Sequence, residues 1–104
     1  INTSGDKNKK GFLPKLDDDF YSVFELKNLK VDGLMTMGPL SQKENETRGA
    51  FASLREIKVK INNQLSDEPI KELSMGMSGD YKIGIQEGST MIRLGTAIFG
   101  KRNY

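Results

Sequence analysis

The chain has 104 residues, enough for one small domain, and its 36% hydrophobic and 29% charged residues are an ordinary balance for a globular protein. Its formal net charge of +2 comes from 16 basic and 14 acidic residues that are interleaved, which argues against a nucleic-acid-binding protein. Histidine and cysteine are absent, so these residues alone can build neither a Ser-His-Asp or Cys-His nucleophile nor a zinc site with the usual nitrogen and sulfur ligands.

The sequence of residues 1–37 predicts a strand, a helix and a second strand, in that order. The sequence I-N-T-S from Ile1 is typical of the end of a strand, and a polar loop follows it. From Pro14 to Leu29 the apolar residues recur at helical spacing, and Asp17 to Asp19 suit the positive end of the helix dipole. A strand is then predicted from Lys30 to Met37.

The rest of the chain continues the alternation of helices and strands. A long helix is predicted from Glu46 to Leu65, because its apolar residues fall on one face: Phe51, Leu54, Ile57, Ile61 and Leu65. The later elements are a strand from Ile70 to Met75, a helix from Asp80 to Glu87 with Gly88 as its C-terminal cap, a strand from Thr90 to Leu94, and a final helical piece from Gly95 to Phe99.

This order of elements predicts a parallel sheet with right-handed crossovers. The βα units recur at about 30 residues, the spacing expected in a (β/α)8 barrel, which needs about 250 residues or roughly 200 at the least. Four parallel strands would leave two open edges that invite pairing. We therefore expect either a fragment or a chain that works with a partner supplying the other strands. A small open α/β sheet, complete in itself, is the alternative.

Two turns in the last third of the chain point to a phosphate-bearing ligand. The first follows L-S-M-G-M-S-G-D, from Leu73 to Asp80, and the second lies within G-S-T-M-I-R-L-G-T-A-I-F-G, from Gly88 to Gly100. In each, a short apolar strand runs into a turn of Gly, Ser or Thr, which leaves backbone N–H groups unpaired at the strand's C-terminal end. Such groups bind phosphate, especially at the start of a helix.

The same stretches carry a family resemblance. L-S-M-G-M-S-G-D-Y from Leu73 and I-Q-E-G-S-T-M-I-R-L-G-T-A-I-F-G-K-R-N-Y from Ile85 closely resemble the C-terminal end of the pyridoxal phosphate homeostasis proteins. G-L-M-T-M from Gly33 and F-A-S-L from Phe51 match the same family in the same order. The opening I-N-T-S-G-D-K-N-K-K-G-F resembles that family's fifth strand and the loop after it.

The resemblance implies an α/β fold in which residues 1–104 are the C-terminal half, about strands five to eight, of an alanine-racemase-like (β/α)8 TIM barrel. Pyridoxal 5'-phosphate (PLP) would bind at the C-terminal ends of the strands. The family's Schiff-base lysine lies on its first strand, and no stretch here matches that motif, so we expect that lysine to be missing from this chain.

The resemblance also implies the residues that hold the cofactor. Ser78 resembles the family's phosphate-binding serine, Gly95 and Thr96 resemble its second phosphate contact, and Arg93 resembles the arginine that faces the pyridine nitrogen; Met77 would add a backbone contact. Each has an alternative interpretation. Ser78 would cap the following helix, Arg93 would pair with a carboxylate, and Gly95 would be only a turn glycine. The five methionines are expected to fill the core rather than to bind ligands.

The function that the resemblance implies is non-catalytic: the complete protein would hold PLP and help to balance the vitamin B6 and amino-acid pools. A racemase-like PLP enzyme is the first alternative, although it needs a second base, and Tyr104 is expected to be a packed terminus rather than that base. A phosphate-binding α/β module for another ligand is the second. The expected partners are PLP and the missing half of the barrel, or another chain that covers the open edges, with no nucleic acid, metal or membrane. Because cysteine is absent, a cytoplasmic protein is expected.

Overall fold

The fold is built on a parallel sheet of three strands. The computed structural model describes residues 1–65 and 68–103, so Tyr104 lies outside the described residues. Strands β1 (Gly33–Met35), β2 (Glu72–Met77) and β3 (Met91–Arg93) lie in that order. Both neighbouring pairs are parallel, which confirms the α/β prediction of a parallel sheet.

The predicted strand at Ile1 is wrong, because the described residues before Gly33 contain no strand. The segment nevertheless lies beside the C-terminal end of β1, where side-chain bonds accompany a single backbone bond from the Ile1 terminal amine to the Met35 carbonyl oxygen at 2.8 Å. The Thr36 hydroxyl donates to the Ile1 carbonyl oxygen at 2.7 Å, and the Thr3 hydroxyl lies 2.8 Å from the Thr36 hydroxyl. The described residues therefore form a sheet of three strands rather than the four that were expected.

The first helix is much shorter than predicted. Helix α1 spans Asp18–Tyr21, and a single 3₁₀ turn over Ser22–Glu25 follows it. Its start is set by Asp17, whose carboxylate accepts the Phe20 N–H at 2.9 Å and so ends the preceding loop there. The apolar spacing that suggested a longer helix instead places ring side chains of this segment against the core.

The long helix matches its prediction closely. Helix α2 spans Glu44–Gln64, and its apolar face packs against the sheet to form the core. The buried core residues, from α2 and from the elements it covers, are Phe20, Leu34, Phe51, Leu54, Ile57, Ile61, Ile70, Leu73 and Met75. No helix among the described residues is long and apolar enough to cross a membrane.

Helix α3 (Tyr81–Gln86) lies unusually close to β2, and α4 (Thr96–Phe99) follows β3. A Cβ at Gly84 would lie 2.7 Å from the Met75 carbonyl oxygen, so only glycine allows this approach. The helix ends as predicted at Gly88, which has a φ of 103°. The N–H of Gly88 bonds to Ile85 at 3.2 Å and that of Ser89 bonds to Gly84 at 2.9 Å, the two bonds of a Schellman cap.

An ion-pair cluster ties the C-terminal end of α3 to α2. The Glu87 carboxylate accepts hydrogen bonds from Arg48 at 2.9 Å and from Arg55 at 3.0 Å. These bonds, with that of Arg48 the largest contribution, hold the pKa of Glu87 below its ordinary value. The C-terminal end of α3 is thereby fixed against α2.

Candidate functional site

A bulge in β2 determines which side chains face the open side of the sheet, the side away from the helices. Ser74 pairs with Met91 and Met77 pairs with Arg93, so β2 advances three residues where β3 advances two. The extra residue lies at Gly76, whose φ of 113° favours glycine. Because paired residues of neighbouring strands share a face, Ser74, Met77, Met91 and Arg93 all lie on this open face.

Ser78 joins the turn after β2 to the turn after β3. Its hydroxyl oxygen accepts the Gly95 N–H at 3.1 Å and the Ala97 N–H at 3.0 Å. Ser78 therefore does not cap α3, whose N-cap residue is Asp80. The structure thus brings together the two sequence-predicted turns and places Thr96 between the two N–H groups that Ser78 engages.

The second turn has donors and space that the fold does not use. The N–H and the hydroxyl of Thr96 have no hydrogen-bond partner within the part of the chain that the structure describes, and Thr96 is exposed. A Cβ at Gly95 would meet no atom within 4 Å, so the space beside this backbone is open. The hydroxyl and the N–H of Thr96 beside an open space are donors that suit a phosphate group.

Arg93 lies across the open face of the sheet. Its guanidinium group donates to the Ser74 hydroxyl and, at 3.0 Å, to the Thr36 carbonyl oxygen. Among residues 1–65 and 68–103 it forms no ion pair with a carboxylate, so the alternative that Arg93 pairs with a carboxylate finds no partner within these residues. Both bonds fix the plane of the guanidinium group.

The backbone of Met77 is already engaged within its own turn. Its N–H donates to Asp80 Oδ1 at 2.8 Å, and its carbonyl oxygen accepts the Asp80 N–H at 3.0 Å. A backbone contact from Met77 to a ligand stays a prediction. Sequence reasoning missed Asp80, although S-G-D after a strand is a turn sequence whose aspartate commonly bonds to nearby backbone.

The methionines do not all fill the core as expected. Met75 is fully buried, but the other four have 39–53% of their surface exposed: Met35, Met37, Met77 and Met91. The reason is the alternation of the strands, since residues on the open face have no helix packed over them. Among the described residues, this face is an apolar surface with Arg93 set into it.

A family assignment follows from comparison with known proteins. Residues 1–103 match the sequence profile of the alanine racemase N-terminal domain, and the chain belongs to that family. Within it, the chain is 38% identical over its whole length to the pyridoxal phosphate homeostasis protein of Aquifex aeolicus. It is 46% identical, over 93% of its length, to the protein of that name from Synechocystis. These similarities confirm the resemblance to the pyridoxal phosphate homeostasis proteins.

The fold comparison agrees with the sequence comparison. The chain is similar to PipY of Synechococcus elongatus without PLP, with a TM-score of 0.80 and 35% identity over 91% of this chain. It is also similar to PipY with PLP bound, with a TM-score of 0.73 over 79% of this chain. The chain spans 46% and 44% of the two curated relatives and 45% and 39% of the two PipY structures.

Proposed function

We propose that this chain is the phosphate-anchoring part of a PLP-binding protein. In this proposal, residues 1–104 supply about strands five to eight of an alanine-racemase-like (β/α)8 barrel. The complete protein has a non-catalytic, cytoplasmic role in vitamin B6 and amino-acid homeostasis. The observation that carries the proposal is the Ser78 hydroxyl, which holds the Gly95 and Ala97 N–H groups at the C-terminal edge of β2 and β3. PLP is bound in the similar PipY structure, and barrels often bind phosphate after their last two strands.

The residues present fit the cofactor's phosphate. Ser78 and the unused donors of Thr96 bind phosphate oxygens, and Gly95 leaves room for a phosphate to approach the backbone. When bound, PLP supplies an electron-withdrawing ring whose strength depends on protonation of its pyridine nitrogen. Arg93 supplies a permanent positive charge on the open face, which disfavours that protonation if the ring nitrogen lies beside it.

The rest of the barrel is the second part of the proposal. Strands β1 and β3 are the edges of the described sheet, and the surface after β3 is apolar: 64% of Ile98 and 85% of Phe99 are exposed. Exposed apolar surface beside an unpaired strand is unfavourable in water. Strands from the remaining half of the protein would cover the edges and the open face, and would bring the lysine that bonds to PLP.

Borohydride reduction of the full-length protein, followed by peptide mass spectrometry, tests the proposal. Reduction fixes PLP on the lysine that holds it, and we expect the phosphopyridoxyl group on a lysine outside residues 1–104. A reduced adduct on a lysine within these residues, or no adduct at all, would contradict the proposed division of the site. We expect the isolated 104 residues to bind PLP weakly and without a stable covalent bond.

Two substitutions test the site residues in the full-length protein. Thr96→Ala removes the free hydroxyl and is expected to weaken PLP retention, although the backbone donors remain. Arg93→Ala removes the charge from the open face and is expected to alter the absorption spectrum of the bound cofactor. Spectra and retention that stay unchanged in both variants would refute the site assignment.

A further inference from the structure

Asp80 closes the turn that carries Ser78 with two hydrogen bonds, one from its backbone and one to its side chain. Residues 77–80 form a turn in which the Asp80 N–H donates to the Met77 carbonyl oxygen at 3.0 Å. In the opposite direction, the Met77 N–H donates to Asp80 Oδ1 at 2.8 Å. Ser78 and Gly79 are the two central residues of this turn, so the direction in which Ser78 points depends on the turn's shape.

The Asp80 carboxylate is the main restraint on that shape. The last pair of the sheet joins Met77 to Arg93, so Ser78 itself lies beyond the backbone ladder. Its hydroxyl only accepts bonds from the second turn. Without the carboxylate, the Met77 N–H would lose its partner and one of the two bonds that close the turn would be gone.

The carboxylate is also held from outside the turn. A Cβ at Gly38 would lie only 2.5 Å from Asp80 Oδ2, so the backbone after β1 lies directly against the carboxylate. That backbone is itself fixed, because Lys9 donates both to the Gly38 carbonyl oxygen and to Asp6. The loop after β1 therefore lies against the Asp80 side chain, and the loop that carries Lys9 fixes the loop after β1 in turn.

We infer that Asp80 is a positioning residue that fixes Ser78 for phosphate binding, an inference that rests on the proposed function. Asp80 acts as a hydrogen-bond acceptor and not through its charge, because a carboxylate near a phosphate dianion repels it. An amide oxygen in its place accepts the same bond without that repulsion. The two roles of the side chain can therefore be separated by substitution.

The test compares the affinities of the full-length protein for PLP and for pyridoxal, which lacks the phosphate. For Asp80→Ala we expect PLP affinity to fall about tenfold, the effect of leaving one backbone donor without its partner, with pyridoxal affinity unchanged. For Asp80→Asn we expect PLP affinity within about twofold of the parent or tighter, since the acceptor remains. Asp17→Ala is the matched control, because Asp17 accepts a backbone N–H at a similar distance in α1; its PLP-to-pyridoxal ratio should not change.

Equal losses of PLP and pyridoxal affinity in Asp80→Ala would show a general structural role and overturn the inference. Equal PLP losses in the Ala and Asn variants, or no loss in either, would also overturn it. If Asp80→Ala does not fold, Gly38→Ala replaces it: the added Cβ displaces the carboxylate while Asp80 stays, and the PLP-to-pyridoxal ratio should again fall. Ser78→Ala separates the two proposals, because an unchanged ratio in that variant would refute the phosphate site itself, whatever Asp80 does.

Discussion

The close contact between α3 and β2 predicts opposite effects for the same substitution at two helical glycines. Gly49 lies in α2, is exposed, and a Cβ there would meet no atom within 4 Å. Gly49→Ala should therefore stabilise the protein by about 1 kcal/mol, the difference in helix propensity between the two residues. Gly84→Ala has the same gain in α3, but its Cβ would lie 2.7 Å from the Met75 carbonyl oxygen.

That carbonyl oxygen cannot yield easily, because it also accepts the Ser89 hydroxyl at 2.7 Å. Overpacking of this kind costs about 1–3 kcal/mol, so Gly84→Ala should be destabilising by up to about 2 kcal/mol after the propensity gain. The two variants should thus differ by about 1–3 kcal/mol in urea unfolding at neutral pH, followed by circular dichroism. A Gly84→Ala protein as stable as Gly49→Ala would refute the reasoning that the helix touches the strand backbone.

Two further predictions concern the site and the ion pairs. Gly95→Ala should leave the unfolding free energy within about 0.5 kcal/mol of the parent's, since the added Cβ enters open space. The same substitution should lower PLP affinity more than pyridoxal affinity. Equal binding of PLP by the variant and the parent would contradict a phosphate beside this backbone. Glu87→Gln should lower the melting temperature at pH 7, because the lowered pKa of Glu87 makes its charged form stabilising above the ordinary carboxyl range. That contribution is lost as the pH falls through the pKa of Glu87 in the folded state. The difference in melting temperature between variant and parent should therefore shrink below about pH 4. A difference that persists there would argue against the ion pairs with Arg48 and Arg55.

The sequence predicted best those elements whose formation depends on a single local sequence pattern. Apolar residues recur on one face of helix α2 along its 21 residues, and this pattern alone predicts the helix. The Gly88 cap was equally predictable, because a left-handed conformation after a helix favours glycine.

The boundaries that differed were set by side-chain hydrogen bonds that periodicity does not encode. The strand predicted from Ile70 begins later, at Glu72, because the Asn62 side chain bonds to both the N–H and the carbonyl oxygen of Ile70. At Ile1, one bond from the terminal amine to the Met35 carbonyl oxygen and the hydroxyl groups of Thr3 and Thr36 join the segment to β1 in place of a continuous backbone ladder.

The sequence predicted which residues the candidate site contains but not the hydrogen bonds between them. The Gly/Ser/Thr pattern indicated the two turns, the family resemblance named Ser78 and Gly95 within them, and the parallel sheet brings those turns together. The bond between the Asp80 carboxylate and the Met77 N–H could not be predicted, because the same carboxylate at the N-cap position could instead accept an N–H of the first turn of α3. Only the three-dimensional structure distinguishes these two uses of one side chain.

The extra residue in β2 makes the protein unequally tolerant of changes in length. An insertion at the exposed turn of Lys27 and Asn28 would lengthen a connection on the surface before β1 and leave the strands paired as they are. Removal of a single residue between Ser74 and Met77 would erase the bulge and match the two-residue step of β3, so Met77 would stay opposite Arg93, but the bend at Gly76 that leads the chain into the Ser78 turn would be lost. In sequences related to this one, alignment gaps should therefore occur in the loops and not at the M-G-M that contains Gly76.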